Sequence, residues 1–226
     1  MTSIYKRVLG ADFSRLHPMI QQRFGFDSTD GVASVGTGIM ERVWYGRAYT
    51  LPFLYLGTWR NIMFPERGEN VPFTIHNYAY RDHLNRETVT WIREYHFGGR
   101  KRRFDATMIY SEQRQKIVDY LGTHQHLAVD IDMSVTGQGG IRLRSGEQRF
   151  YEGRVAFRFP MAFSGIADVH EWYDEKLQMF RIQVAVTNTF WGPLFGYEGR
   201  FHAAYPEVQA GDIPAYVKPV REERRE

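Results

Sequence analysis

Apolar and polar residues alternate along most of the chain from Val71 onward, and glycine or charged residues separate the alternating runs. The clearest run is at residues 127–135. One set of alternate positions there is apolar (Leu127, Val129, Ile131, Met133 and Val135), and the other is small or polar (Ala128, Asp130, Asp132 and Ser134). A period of two residues predicts a half-buried strand.

Other runs suggest how such strands are joined. Gly98 and Gly99 form a tight turn between two alternating segments, marked by Val89, Trp91, Tyr95 and Phe97 and by Phe104, Ala106, Met108 and Tyr110. A second hairpin joins residues 166–173 to the strand around Phe180 and Val186. We expect about eight to ten strands with no helix between them. The fold class is therefore mainly β, an antiparallel meander that closes into a barrel or curled sheet.

Helical spacing is confined to the first part of the chain. In the N-terminal helical segment, residues 3–24, Gly10 ends one helix, and Ser14 with Pro18 opens a second that runs to Phe24. Thr50 caps a third helix from Leu51 to about Met63. This helix either caps an open barrel end or rests on a membrane surface.

Length and composition indicate the number of domains, the kinds of partner and the cellular location to expect. A chain of 226 residues, 15% of them aromatic, suits one β-rich domain over residues 1–217, followed by a frayed polar tail at 218–226. The net charge of +3 is too small to predict a nucleic-acid partner. Because there is no cysteine, no signal peptide and no apolar run long enough for an integral membrane segment, we expect a cytoplasmic protein.

A polar residue on the apolar face of a strand is a candidate for function, since a buried charge is costly unless it is paired or used. Arg93 shares its face with Trp91, Tyr95 and Phe97, where its guanidinium could bind a carboxylate or phosphate of a ligand. Two structural explanations compete with ligand binding. Arg93 could form an internal ion pair with Glu41, or it could lie at an edge position where a bulge shifts the inward and outward parity of the strand. Asn77, in phase with Phe73 and Ile75, is a weaker case of the same kind.

Other polar clusters have simpler explanations. His124, His126, Asp130 and Asp132 could bind a metal, but they lie opposite the apolar face, and a solvated strand face needs no metal to explain them. The run from Arg100 to Arg103 could meet phosphate or acidic lipid, although a solvated turn is the simpler interpretation. Residues 136–140 predict a turn, because no helix follows to hold a phosphate. No catalytic set and no cofactor are predicted.

Four aromatic rings occur in the segment from Thr189 to Tyr197, between two expected strands at one end of the barrel. They could form a lip that closes over an apolar ligand or docks on a partner. A plug that only caps the core explains them as well.

Four segments carry a resemblance to a known family, namely residues 5–18, 91–100, 143–146 and 195–201. They read YKRVLGADFSRLHP, WIRE followed by FGGR, LRSG, and FGYEGRF. The chain resembles a bacterial domain of unknown function that also occurs fused behind saccharopine-dehydrogenase-like oxidoreductase domains, with a match reaching Pro206. The resemblance implies no catalytic residues, but it suggests that the domain can work beside an enzyme.

Two hypotheses of function follow. In the first, the barrel interior binds a hydrophobic or amphipathic small molecule in a cavity lined by Trp91, Tyr95, Met108 and Trp191, and Arg93 fixes the polar head. In the second, the domain has a filled core and serves as an accessory or interaction domain for an oxidoreductase partner, without a ligand of its own. An enzyme is the third choice, because no acid, base or nucleophile stands out.

Overall fold

The computed structural model describes residues 2–160, 162, 164–209 and 213–226. Its three α-helices are α1 (Ile4–Leu9), α2 (Pro18–Gly25) and α3 (Leu51–Thr58), with short 3-10 helices at Gly10–Arg15, Ala48–Thr50 and Ala215–Val217. The strands are β1 (Ala33–Tyr45), β2 (Gly68–Arg81), β3 (Glu87–Phe97), β4 (Arg100–Ser111), β5 (Lys116–Leu121), β6 (Leu127–Val135), β7 (Ile141–Glu152), β8 (Val155–Arg158), β9 (Ile166–Asp174), β10 (Met179–Asn188) and β11 (Gly192–Ala204).

All the described strand pairings are antiparallel, and ten of the eleven strands close into a barrel. The order around the barrel is β6-β5-β4-β3-β2-β1-β11-β10-β9-β7, and β7 pairs back with β6. Strand β8 lies outside this circuit as a hairpin extension of β7. The expected antiparallel barrel is confirmed, and closure removes the sheet edges that an open meander would expose.

The alternation of apolar and polar residues along the strands corresponds to the inner and outer faces of the barrel wall. Phe180, Ile182, Val184 and Val186 on β10 are all buried, and they face the interior together with Val129 and Ile131 of β6. The hairpin at Gly98 is also confirmed, with Phe97 paired to Arg100. Period-two patterning therefore identified the inward face correctly.

The N-terminal segment plugs one end of the barrel, called the closed end here. Trp91 Nε1 donates to the hydroxyl of Tyr5 at 2.8 Å. Deeper in the plug, Arg23 of α2 pairs with Glu171 of β9 and donates to Ser34 Oγ at 2.8 Å. The plug is thus held by packing and by a buried ion pair.

Two helix boundaries differ from prediction. Helix α2 begins at Pro18, and His17 Nδ1 accepts from the amide of Met19 at 3.2 Å, so Ser14 does not start this helix. The residue before a proline prefers extended backbone, which places the boundary at His17. Helix α3 ends at Thr58, short of Met63, and Asn61 then adopts a φ of 55°. Thr50 Oγ1 donates to the carbonyl of Arg47 and does not cap α3.

The described connections at the other end of the barrel are residues 46–67, 98–99, 122–126, 153–160, 162, 164–165 and 189–191, and together they form what we call the open end. Leu54 of α3 is buried beneath this end, next to the barrel interior. The helix predicted as a cap therefore lies over the opening.

The C-terminal segment packs on the outer wall, and the expectation of a frayed tail was wrong. Val217 is buried against Tyr78 and Tyr80. Glu223 is also buried, and its amide donates to Gln125 Oε1 at 2.6 Å. The outward-facing aromatic rings of the barrel explain this packing, because they offer the tail an apolar surface and hydroxyl donors.

None of the helices in the described ranges has both the length and the apolar character needed to cross a membrane.

Candidate functional site

A cavity of about 470 Å³ lies inside the barrel, between the N-terminal plug and α3. Trp91 and Met108 line its part nearest the plug, and Tyr49, Phe53 and Trp191 line its mouth at the open end. The wall between them is predominantly apolar, with Leu, Ile and Val side chains from six strands (Leu121, Leu127, Val129, Ile131, Leu143, Val169, Val184, Val186 and Leu194). This size and lining are typical of small-molecule sites in proteins.

Four of the five residues singled out from the sequence line this cavity, namely Trp91, Arg93, Met108 and Trp191. The fifth, Tyr95, lies behind the wall. Its ring packs against Phe64 at 4.9 Å and Phe73 at 5.1 Å between ring centroids, so it supports the wall without lining the cavity.

Arg93 is buried in this wall, with 4% of the residue exposed. Its Nε donates to the carbonyl of Phe104 at 3.2 Å, and its Nη1 donates to the hydroxyl of Tyr197 at 3.1 Å. The guanidinium carbon lies 3.8 Å from the centroid of the Phe104 ring. Its Nη2 makes no hydrogen bond to the described part of the chain, and so it can donate to a ligand.

The proposed ion pair of Arg93 with Glu41 was wrong. A register shift between Met40 and Arg42 places Glu41 at a bulge in β1. Its carboxylate pairs with Arg200 at 2.6 Å and with Arg181 at 3.0 Å, on the outer side of the sheet. A bulge reverses which face the following residues occupy, and this reversal cannot be read from parity alone.

The cavity also contains a carboxylate that the sequence analysis missed. Asp119 is on β5, in phase with the inward residues Ile117 and Leu121, and only 6% of it is exposed. It makes no hydrogen bond to the described residues, and its Oδ1 is fully buried without a partner. Burial raises the pKa of Asp119 to about 7, opposed by the positive charge of Arg93.

Arg93 and Asp119 interact at a distance, since their charged atoms are not within the 4.0 Å of a direct ion pair. The other polar side chains of the wall are already bonded. Gln148 Nε2 donates to the carbonyl of Gly165 at 2.6 Å, and Ser145 Oγ accepts from the amide of Ala167 at 2.7 Å. The free hydrogen-bonding capacity in the described wall is therefore concentrated at Arg93 and Asp119.

Asn77 faces inward as expected but lies at the closed end. It borders a small space beside Tyr5 and Arg23, separate from the main cavity. Its Oδ1 is buried without a partner in the described structure. The space of about 10 Å³ is too small for an organic ligand, so Asn77 is not part of the candidate site.

The histidine and aspartate side chains make other contacts in the described structure. His124 Nε2 lies 2.7 Å from Arg60 Nη1, and burial together with this arginine lowers the pKa of His124. Asp130 pairs with Arg149 at 2.6 Å, and Asp132 pairs with Lys116. No group of three metal-binding side chains occurs within the described ranges. Cationic partners already occupy the two carboxylates, as expected for an outer strand face.

Of the other two polar motifs, one is a turn and one is the start of a strand. The Gly-rich segment joins β6 to β7, and the amide of Thr136 donates to the carbonyl of Gly140 at 2.8 Å. The basic run follows the Gly98 turn, and Lys101 pairs with Glu94 at 2.6 Å while Arg103 pairs with Asp105 at 2.8 Å. The Gly-rich segment is the turn that the sequence predicted. The basic run was expected in a solvated turn, but it forms the first four residues of β4, because its backbone continues the hairpin pairing with β3.

The aromatic lip is smaller than predicted, because β11 begins at Gly192. Phe195 and Tyr197 point into the core with 0% exposure, whereas Phe190 and Trp191 are exposed at the mouth. The ring of Trp191 lies 6.1 Å from Tyr49 and 6.3 Å from Phe53, between centroids. The lip is therefore formed by the connection 189–191 together with α3 and the turn before it.

Comparison of the sequence with known proteins places this chain in a family. A family model described as "Domain of unknown function (DUF4166)" matches residues 16–201. A protein of Bacillus subtilis (strain 168), described as "Uncharacterized protein YndH", is 33% identical over 201 residues, which cover 89% of this chain and 97% of that protein. No solved structure matches. The resemblance to a domain of unknown function is confirmed, and fusion to an oxidoreductase stays a prediction.

Proposed function

We propose that this chain, which belongs to the DUF4166 family, is a binding protein that holds a hydrophobic or amphipathic small molecule in the barrel cavity. The apolar body of the ligand lies against the aliphatic wall, and its polar group lies between Arg93 and Asp119. Trp91 and Met108 contact the ligand near the plug, and Trp191 contacts it at the mouth.

The observation that carries this proposal is the buried carboxylate of Asp119, which has no hydrogen-bond partner among the described residues and opens onto an apolar cavity. A buried charge without a partner costs several kcal/mol. Groups in such surroundings cluster at functional sites. A ligand that hydrogen-bonds Asp119 would remove much of this cost, and so would bind with a gain in free energy.

The chemistry of the two side chains restricts the polar group of the ligand. Arg93 only donates hydrogen bonds, whereas Asp119 accepts them when ionised and donates one when protonated. A carboxylic acid, an alcohol or an amide can satisfy both side chains, since each contains a donor and an acceptor. A fatty acid or a similar single-chain amphiphile combines such a group with a body that the cavity accommodates.

Native mass spectrometry of the protein purified from a bacterial host, before and after organic extraction, tests this proposal. We expect a bound molecule near one per chain that extraction releases. After extraction, the protein should rebind a fatty acid, and Arg93→Met should weaken this binding about tenfold or more, because a charge-assisted hydrogen bond is lost. Arg200→Met, on the outer wall, is the matched control and should bind normally.

A wild-type protein that carries no ligand and rebinds no amphiphile would contradict the proposal. It would favour the second hypothesis, an accessory domain for an oxidoreductase partner, which would use the aromatic residues exposed at the mouth. The Bacillus relative favours a function without a fused enzyme, since 97% of that protein aligns with this one chain.

A further inference from the structure

The open end carries most of the exposed apolar surface. Nine of the thirteen large apolar side chains exposed in the described structure lie there, whereas isolated exposed residues elsewhere are ordinary. The nine residues are Tyr49, Phe53, Tyr55, Leu56, Trp59, Val155, Phe157, Phe190 and Trp191. Their concentration around one opening is typical of a docking surface.

Helix α3 is apolar on both of its sides. Leu54 is buried toward the cavity, while Tyr55 and Leu56 are 64% and 67% exposed on the outside. Residues 51–58 include no charged side chain. A helix that only capped the barrel would be expected to place polar residues on its outer side, so capping alone does not explain this sequence.

The same end is rich in positive charge. Its connections contain five arginines (Arg47, Arg60, Arg67, Arg154 and Arg158) and a single carboxylate, Glu66. Glu66 is already neutralised by Arg102, and the nearby Arg100 keeps 75% of its side chain exposed. The guanidinium of Arg60 lies 4.5 Å from the ring centroid of the exposed Trp59. Exposed rings and cations therefore lie together at this end, where Arg158 also pairs with Glu147 of β7 at 3.1 Å.

We propose that the open end docks on the surface of a lipid bilayer that contains anionic lipids. Aromatic and aliphatic side chains insert among headgroups, and basic residues around them attract anionic lipid phosphates. The charge complementarity selects an anionic surface, because the connections hold one carboxylate against five arginines. This inference goes beyond ligand binding. It rests mainly on residues outside the cavity, and it shares Tyr49, Phe53 and Trp191 with the cavity mouth. It places the mouth of the cavity against the lipid.

Vesicle flotation tests the docking. The full chain should float with phosphatidylcholine vesicles that contain phosphatidylglycerol and should bind phosphatidylcholine alone much more weakly. Salt at 1 M should reduce binding about tenfold, since the Debye length falls to about 3 Å. Leu56→Glu combined with Phe190→Glu should abolish flotation. Leu177→Glu is the control, because Leu177 is also an exposed apolar residue, at 47%, but lies in the β9–β10 turn at the closed end.

A second pair of variants tests the charge. Arg47→Glu combined with Arg154→Glu should weaken flotation about tenfold or more, while Lys176→Glu in the closed-end turn should leave it unchanged. Circular dichroism verifies that each variant is folded. Failure of the wild type to float with anionic vesicles would overturn the proposal. So would normal flotation of the Leu56/Phe190 variant. Because Arg93 is not involved, Arg93→Met should float normally whatever its ligand affinity.

Discussion

Arg93 and Asp119 lie on the inner wall of the barrel on two strands separated by β4, and the inward-facing residue between them is Ala106. Arg93 is paired in register with Phe104, and Asp119 is paired with Met108. Phe104 and Met108, the inward neighbours of Ala106 on β4, line the cavity together with the two charged residues, whereas Ala106 itself is fully buried. The pair therefore forms a polar position in an otherwise apolar cavity.

The pKa of Asp119 predicts how stability depends on pH. Burial raises this pKa from 3.8 to about 7, so the folded protein holds this proton more tightly than the unfolded chain. The resulting stabilisation is fully present below about pH 4 and is lost as pH rises through about 7. Three pKa units correspond to about 4 kcal/mol as an upper limit.

Asp119→Asn removes this dependence. Between pH 4 and pH 8, the free energy of unfolding of the variant should rise by up to about 4 kcal/mol relative to that of wild type. Urea unfolding at each pH measures this difference. Asp132→Asn, on the outer face of β6, is the control and should follow the wild-type pH curve. If Asp119→Asn has the same dependence of unfolding free energy on pH as wild type, then the pKa of Asp119 is not raised in the folded protein.

The plug depends on the buried pair of Arg23 and Glu171, which are 3% and 0% exposed. Arg23→Met should cost about 3–5 kcal/mol of unfolding free energy, because it leaves Glu171 buried without its partner. The double variant Arg23→Met with Glu171→Gln should recover a large part of that loss. Urea unfolding of both single variants and the double variant measures the coupling. Strictly additive costs would refute the idea that the pair acts as a unit.

Filling the cavity should separate ligand binding from stability. Val169 lines the cavity, so Val169→Phe places the added ring in open space and should change the unfolding free energy by less than about 1 kcal/mol while it displaces the ligand. Ile182→Phe, in the packed part of β10, should cost about 1–3 kcal/mol. Urea unfolding and native mass spectrometry measure the two effects. Full ligand occupancy in Val169→Phe would argue against this cavity as the site.

The C-terminal segment is expected to stabilise the barrel. Removal of residues 219–226 deletes the hydrogen bonds that Thr123, Gln125 and the Tyr120 hydroxyl make to this segment. At about 1 kcal/mol for each bond, the loss should be roughly 3 kcal/mol, with greater exposure of Tyr120. The urea midpoint and tyrosine fluorescence measure it. A midpoint equal to that of the full chain would indicate that the segment contributes nothing to stability.

Local patterns predicted the parts of the fold that depend on neighbouring residues. Period-two alternation located strands such as β6 and β10, and Gly98 located a hairpin, because a side chain's face and a tight turn are both set within a few residues. The same reasoning found Arg93, whose charge interrupts an aromatic face. The same reasoning missed Asp119. The pattern that could have identified it is a carboxylate in phase with Ile117 and Leu121, in a strand of six residues.

The residue pattern was sufficient to predict antiparallel strands with an apolar face, short helices at the start of the chain and an arginine among aromatic rings. Three features became visible only in the folded chain: β6 pairs with β7 to close the barrel, Glu41 lies outside it, and Asp119 shares a cavity with Arg93. Folding also brought α3, the aromatic lip and the arginines to one end. Alternation is a local property of the backbone, whereas closure, bulges and the approach of distant segments depend on contacts between residues far apart in the chain.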